Sequence, residues 1–299
     1  MAFVARFAMK LVRLSLAAGA AGGAISSTAS AQGSAPQAAA AHEAVLPHET
    51  FTLQSAAVGE ARRINVWTPP GYAASRTRFP VLYMPDGGVE EDFPHVVATV
   101  DSAVRAGQMR PVIVVGIENT ERRRDMTGPT EVESDRRIAP RVGGSAAFRR
   151  FIAAELMPEV RRRYRTTDET AIIGESLTGL FVVETFFEQP ELFDTYIALS
   201  PSLWWNHEAL VGAAAGRLRA HRQVRAALYI SSAGDDVGAE AGRLAAILRA
   251  NAPAGLRWEY APRPDLTHAT IYRAEAPQVL REWLPPRGAR GAGTHAPHP

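Results

Sequence analysis

The 299-residue chain is 46% hydrophobic and 21% charged, a balance that excludes a disordered or fibrous protein and allows a large buried core. It has no cysteine, which excludes a disulfide framework, a thiol nucleophile and a Cys-ligated metal together. The net charge is +2, but Arg6, Lys10 and Arg13 lie in an N-terminal stretch without acidic residues, and removing these three cations leaves −1. No global basic excess then remains to displace phosphate counterions, so no nucleic-acid partner is expected.

In chain order, residues 1–31 have the pattern of a secretory signal peptide. A basic n-region ends near Arg13, an apolar run extends from Leu14 to Ile25, and small residues at Ala29 and Ala31 predict cleavage after Ala31. The apolar run is below the ~20 residues of a spanning helix, so a periplasmic or secreted protein without stable membrane insertion is expected. Residues 32–47 read as a flexible tether, 48–286 as one catalytic domain, and 287–299 as a disordered Gly/Pro/Arg/His-rich tail. His295 and His298 in that tail read as solvated residues, and no metal is expected.

Within the domain, β-branched or aromatic runs at 49–54, 62–68, 81–84, 112–116, 171–174, 196–199, 227–231 and 257–260 predict eight strands. A short loop at 57–61 joins the first two as an antiparallel hairpin. Later strands are separated by helical patterns at 93–105, 146–163, 177–188, 207–221, 239–250 and 275–284. Near-continuous apolar strands alternating with crossover helices predict an α/β fold, with a mostly parallel eight-stranded sheet covered by helices on both faces.

The chemistry centres on Gly174-Glu175-Ser176-Leu177-Thr178-Gly179, between the strand at 171–174 and the helix at 177–188. A serine on a tight strand-to-helix turn projects its hydroxyl above the sheet, with a helix N-terminus beneath it to favour developing negative charge. The common pattern G-x-S-x-G carries glycine where this chain has Thr178. A serine hydroxyl needs a base, and the base expected in chain order after the last strand is His268. The acid that orients the imidazole is expected in Gly234-Asp235-Asp236, with Asp236 first and Asp235 the alternate; Asp before a helix is also a common cap. Asp265 and Glu240 are outside possibilities. The oxyanion hole is assigned to backbone N–H groups of Leu177 and of the loop after the third strand, Gly88 first and its neighbour Gly87 second.

Five segments, Leu82-Tyr83-Met84-Pro85-Asp86-Gly87-Gly88, Val115-Gly116-Ile117, Arg122-Arg123-Arg124-Asp125-Met126-Thr127, the elbow, and Ser200-Pro201-Ser202-Leu203-Trp204-Trp205-Asn206, together resemble the putative-esterase family of α/β-hydrolases. That family includes esterase D, feruloyl esterases, enterochelin-type siderophore esterases and mycolyltransferases. The resemblance implies an α/β-hydrolase fold without a large lid, ester hydrolysis through Ser176 and His268, and no cofactor. Some siderophore-esterase relatives work with a Ser-His dyad.

For substrate, Trp204 and Trp205 follow a strand at the sheet's carboxyl edge, where they could stack on an aryl or sugar group. Arg122, Arg123 and Arg124 lie on the same side, with Arg124 chosen to meet an anionic ligand against the alternative of a salt bridge to Glu118, Glu121 or Asp125. Glu175 is read as bracing a neighbouring loop. The expected partner is a small-molecule or glycan ester, of siderophore, aryl or carbohydrate type. An acyltransferase or a non-catalytic ligand-binding homologue on the same scaffold is the alternative.

Overall fold

The computed structural model describes residues 45–236 and 239–288. The predicted signal peptide, most of the tether and nearly all of the tail lie outside the described residues. Eight strands form one sheet: β1 (Glu49–Ser55), β2 (Glu60–Trp67), β3 (Phe79–Pro85), β4 (Ile113–Ile117), β5 (Thr166–Glu175), β6 (Thr195–Leu199), β7 (Ala227–Ala233) and β8 (Arg257–Arg263). Their spatial order is β1-β2-β4-β3-β5-β6-β7-β8. Only the β1–β2 and β2–β4 pairings are antiparallel; every pairing from β4 to β8 is parallel. The fold is the expected α/β-hydrolase arrangement with an N-terminal hairpin.

Alternation along the strands decides the layers. Val81 and Tyr83 face one apolar cluster and Leu82 and Met84 the other, as do Ile113 and Val115 against Val114. Because side chains alternate with a period of two, an apolar residue at every position means that both faces are covered. Helices α1 (Phe93–Arg105) and α9 (His268–Trp283) cover one face, contributing Phe93, Val96, Val100, Val279 and Trp283. The other is covered by α4 (Ser145–Phe151), α6 (Leu177–Glu188), α7 (Trp205–Ala220) and α8 (Glu240–Asn251), with Phe148, Phe181, Phe186, Leu218 and Leu244 inside.

Three elements differ from expectation. The helix predicted at 146–163 is α4 followed by a π-helical turn at Ile152–Leu156 and α5 (Met157–Arg163). Pro158 at the start of α5 has no N–H to continue an i→i−4 ladder. Helix α9 begins at His268, well before the predicted 275. Its start is a capping box of Thr267 and Thr270, in which threonine replaces the usual Glu or Gln, and Pro277 sits inside the helix. Two short helices, α2 (Arg122–Asp125) and α3 (Glu133–Ile138), fill the connection after β4, which the sequence reading left without elements. No helix among the described residues is long and apolar enough to cross a membrane.

Candidate active site

The carboxyl edge of the sheet gathers the polar residues. Strand β5 ends at Glu175, and Ser176 turns the chain into α6 with φ 60° and ψ −123°. Positive φ is strained for a residue with a side chain and persists only where the surroundings fix it. Here Ser176 N–H donates to the Leu199 carbonyl at 3.1 Å, and the Ser176 carbonyl accepts from Ser202 N–H at 3.0 Å. Gly174 permits the turn, since a Cβ there would lie 2.3 Å from Thr178 Cγ2. The departure at Thr178 is therefore absorbed at Gly174. The Thr178 hydroxyl, fully buried, donates to Asp86 Oδ2 at 2.6 Å.

Asp86, itself at φ 57°, ties the loop after β3 to the elbow. Besides Thr178, its carboxylate accepts from Asn119 Nδ2 at 2.6 Å and from Arg122 Nε and Nη2 at 2.6 and 2.9 Å. Gly87 is the close crossing of that loop over β4, because a Cβ on it would lie 2.3 Å from Gly116 Cα.

Across the cleft, the relay forms. His268 Nε2 lies 3.0 Å from Ser176 Oγ, while Nδ1 lies 3.0 Å from Asp236 Oδ1 and 3.0 Å from Ser200 Oγ. An ionised carboxylate only accepts, so the contact with Asp236 places the proton on Nδ1 and turns the Nε2 lone pair toward Ser176. Asp236 is fixed by its own partners: Ala233 N–H donates to Oδ2 at 2.7 Å, and Ser200 Oγ lies 2.7 and 2.6 Å from its two oxygens. Asp235 instead accepts the backbone N–H of His268 at 2.6 Å. It caps α9, whereas the sequence reading had it capping the next helix in the chain. Asp265 pairs with Arg263 at the surface and Glu240 approaches Arg243, so neither bonds to the imidazole.

The structure corrects four assignments. Gly87 N–H donates to the Ile117 carbonyl at 3.0 Å, so it is not an open oxyanion donor. Gly88 N–H donates to Glu91 Oε2 at 2.7 Å and serves only if that carboxylate moves aside. Leu177 opens α6, and first-turn N–H groups have no intrahelical acceptor. Trp205 is buried, with Nε1–H donating to the Gly128 carbonyl at 3.0 Å, and serves as packing. Arg124 is held by Glu60 at 2.6 Å and Asp125 at 2.7 Å beside the buried Arg62–Asp125 pair, so the salt-bridge alternative describes it. The arginine that reaches the elbow is Arg122, with Nη2 3.5 Å from the Glu175 carbonyl.

Two further contacts of His268 went unforeseen. Ser200, at φ 44° and almost fully buried, sits between Asp236 and His268. A serine ending a strand in the Ser-Pro-Ser run carries no local signal for that role. Glu175 does not brace a loop: its Oε1 lies 3.1 Å from His268 Nε2. Burial pushes the Glu175 carboxyl up to about 7, reinforced by Asp86 and Asp92 and opposed by His268 and Arg122. Burial likewise raises Asp92 to about 6.

Ser176, Ser200, Ser202, Trp204, Asp236 and His268 line a cavity of about 270 Å³. Two larger clefts, about 630 and 570 Å³, lie at the opposite edge of the sheet, away from Ser176: the first is lined by the segments that lead into β6 and β7, including Asp194 and Arg225, and the second reaches the first residues of those strands, Thr195 and Ala227. No cluster of His, Asp or Glu suited to a metal occurs among the described residues.

The chain is 36% identical over 159 residues to the ferri-bacillibactin esterase BesA of Bacillus subtilis, covering 46% of this chain and 52% of that protein. It is 27% identical over 165 residues to the iron(III) salmochelin esterase of Escherichia coli, covering 54% of this chain and 37% of that protein. The chain thus spans about half of the first relative and little more than a third of the second. Among solved structures, the crystal structure of an IroE-like serine hydrolase from Shewanella oneidensis superimposes with a TM-score of 0.73 at 26% identity, covering 80% of each chain. The family described as "Putative esterase" matches residues 55–254, from the end of β1 to just past α8, and on that match the chain belongs to this esterase family.

Proposed function

We propose that the protein is a serine carboxylic-ester hydrolase, and that siderophore esters are its substrate class. The observation that carries this reading is the continuous line from Ser176 Oγ through the His268 ring to Asp236, with 3.0 Å at each end of the imidazole. Ser176 Oγ attacks the ester carbon while its proton passes to Nε2. The tetrahedral oxyanion is met by Leu177 N–H at the positive end of α6, together with Gly88 N–H once Glu91 releases it. Collapse breaks the bond to the leaving alkoxide, which takes the proton from Nε2. Water then repeats the sequence on the acyl-serine, giving the free acid and regenerating Ser176. Asp236 holds the imidazole tautomer and faces the positive charge that forms during each transfer.

The siderophore class rests on the names of the relatives, and the site is compatible with it. A cavity of about 270 Å³ holds one acyl arm beside Trp204 and leaves the remainder of a larger ester outside. Aryl and carbohydrate esters are the competing substrates. Export, with Gln32 as the mature N-terminus, belongs to the same proposal and rests on the composition of residues 1–31; N-terminal sequencing of the mature protein checks it. A fluorophosphonate probe followed by a panel of desferri- and ferri-siderophore, p-nitrophenyl, feruloyl and acetyl-sugar esters tests the function. Labelling at Ser176 with preference for the siderophore arm is the expected result, and no labelling overturns the reading.

A further inference from the structure

His268 Nε2 has two neighbours and one lone pair. Ser176 Oγ is 3.0 Å away and Glu175 Oε1 is 3.1 Å away. The Glu175 side chain is only 17% exposed, and this oxygen is buried without a hydrogen-bond partner. A buried carboxyl oxygen left unsatisfied is costly, and the group it faces is the atom that accepts the nucleophile's proton.

We propose that Glu175 is a positioning residue that gates the base: protonated, it donates to Nε2 and displaces Ser176 from it; ionised, it releases Nε2 and faces the imidazolium that forms when Ser176 gives up its proton. The inference rests on the serine-esterase reading for its catalytic consequence, though not for the coupling between the two side chains.

The surroundings allow such a gate near neutral pH. His268 and Arg122 favour the ionised carboxylate, while Asp86 and Asp92 oppose it, and Tyr272 on α9 lies within the same field. The imidazole in turn faces Asp236, Ser200 and Ser176, and Asp235 holds its backbone N–H. With burial holding Glu175 at about 7, the carboxyl changes state within the working range of a histidine base. No additional reactant is needed. One proton moves from Glu175 to solvent as the gate opens, and the Ser176 proton then follows the route to the leaving alkoxide.

Two measurements test this. Infrared pH-difference spectra read the carboxyl directly. The wild-type minus Glu175→Gln difference should show a carboxyl that titrates near neutral pH, and His268→Ala should shift that titration, because the ring that accepts the carboxyl's proton and faces its carboxylate is gone. A titration unaffected by His268→Ala overturns the proposal; Glu175→Ala supplies the reference spectrum if the Gln variant fails to fold, and this arm decides the proposal even if the wild type proves inactive. The second readout is the pH profile of kcat/KM, or of fluorophosphonate labelling. Wild-type activity should rise through about pH 7. Glu175→Gln should lose that rise, be at least as active as the wild type in mild acid, and fall roughly tenfold below it in mild alkali, about one pK unit of lost charge stabilisation. Crossing profiles support the gate. A uniform drop with unchanged shape means that Glu175 only holds the fold, and overturns it. Failure of the wild type to label overturns the esterase reading separately.

Discussion

The two walls of the catalytic cleft are built differently. On the elbow side, Thr178 is fully buried, Asp86 nearly so, and Gly174 and Gly87 sit where no Cβ fits. On the relay side, the His268 side chain is 43% exposed and its alignment depends on hydrogen bonds from two loops, through Ser200 after β6 and Asp235 and Asp236 after β7. The nucleophile is therefore fixed by packing, and the base by polar contacts at the surface. Changes on the relay side should remove chemistry and spare the fold, whereas changes to the packed residues beneath Ser176 on the elbow side should affect both.

Ser176→Ala probes the seam between the walls and carries the largest effect. Turnover should fall by about five to six orders of magnitude and probe labelling should vanish, with the unfolding midpoint unchanged. Next, Asp236→Asn should lower the acylation rate by roughly 10²- to 10⁴-fold at neutral pH with little change in stability, because the amide favours the wrong imidazole tautomer. Asp235→Asn, which still caps α9, should stay within a few-fold. Equal losses in the two Asn variants, measured by pre-steady-state acylation, would falsify the assignment of the acid.

The elbow wall predicts a stability signature. An unfolded chain ionises Glu175 from about 4.5, the folded protein only from about 7. Between those values the folded state holds a proton that the unfolded state has released, so stability from this group declines as pH rises through the window and levels off above it. Glu175→Gln should consequently gain on the order of 1–3 kcal/mol over the wild type at pH 8 relative to pH 5, read by urea unfolding at the two pH values. Thr178→Val keeps the methyl that fills the space at Gly174 but removes the bond to Asp86. It should cost about 1–2 kcal/mol and lower kcat more than it raises KM. Smallest of all, Trp204→Ala at the cavity rim should raise KM a few-fold for aryl esters and leave acetyl esters unaffected.

The contrast between the walls also explains what was legible in the sequence. The elbow is a local object: strand, serine and helix are contiguous, so Ser176 could be read from spacing, and the strand pattern gave the sheet that carries it. His268 and Asp236 followed from chain order, since each lies just beyond a strand of a parallel sheet. Contacts that cross between loops were not legible. Ser200 and Glu175 meet His268 only because β5, β6 and the start of α9 converge at one edge, and no spacing within 175–268 encodes that convergence. The choice of Arg124 over Arg122 failed for a related reason. Three successive arginines on one helical turn point in different directions, and only the turn's placement against Asp86 or Glu60 decides which reaches the elbow. The oxyanion loop was found, but its N–H groups were assigned without knowledge of what they already bind.

The crossing of Gly87 over Gly116 has a consequence for engineering. Its two backbones touch with no room for a methyl group, so the loop that carries Asp86 and the strand beneath it behave as one solid part. A mutational library meant to broaden the acyl pocket has freedom at Trp204, Glu240 and Ala241, which line the cavity from the relay side. Diversity introduced at Gly87, Gly116 or Gly174 would instead be lost to misfolding before any ester is offered.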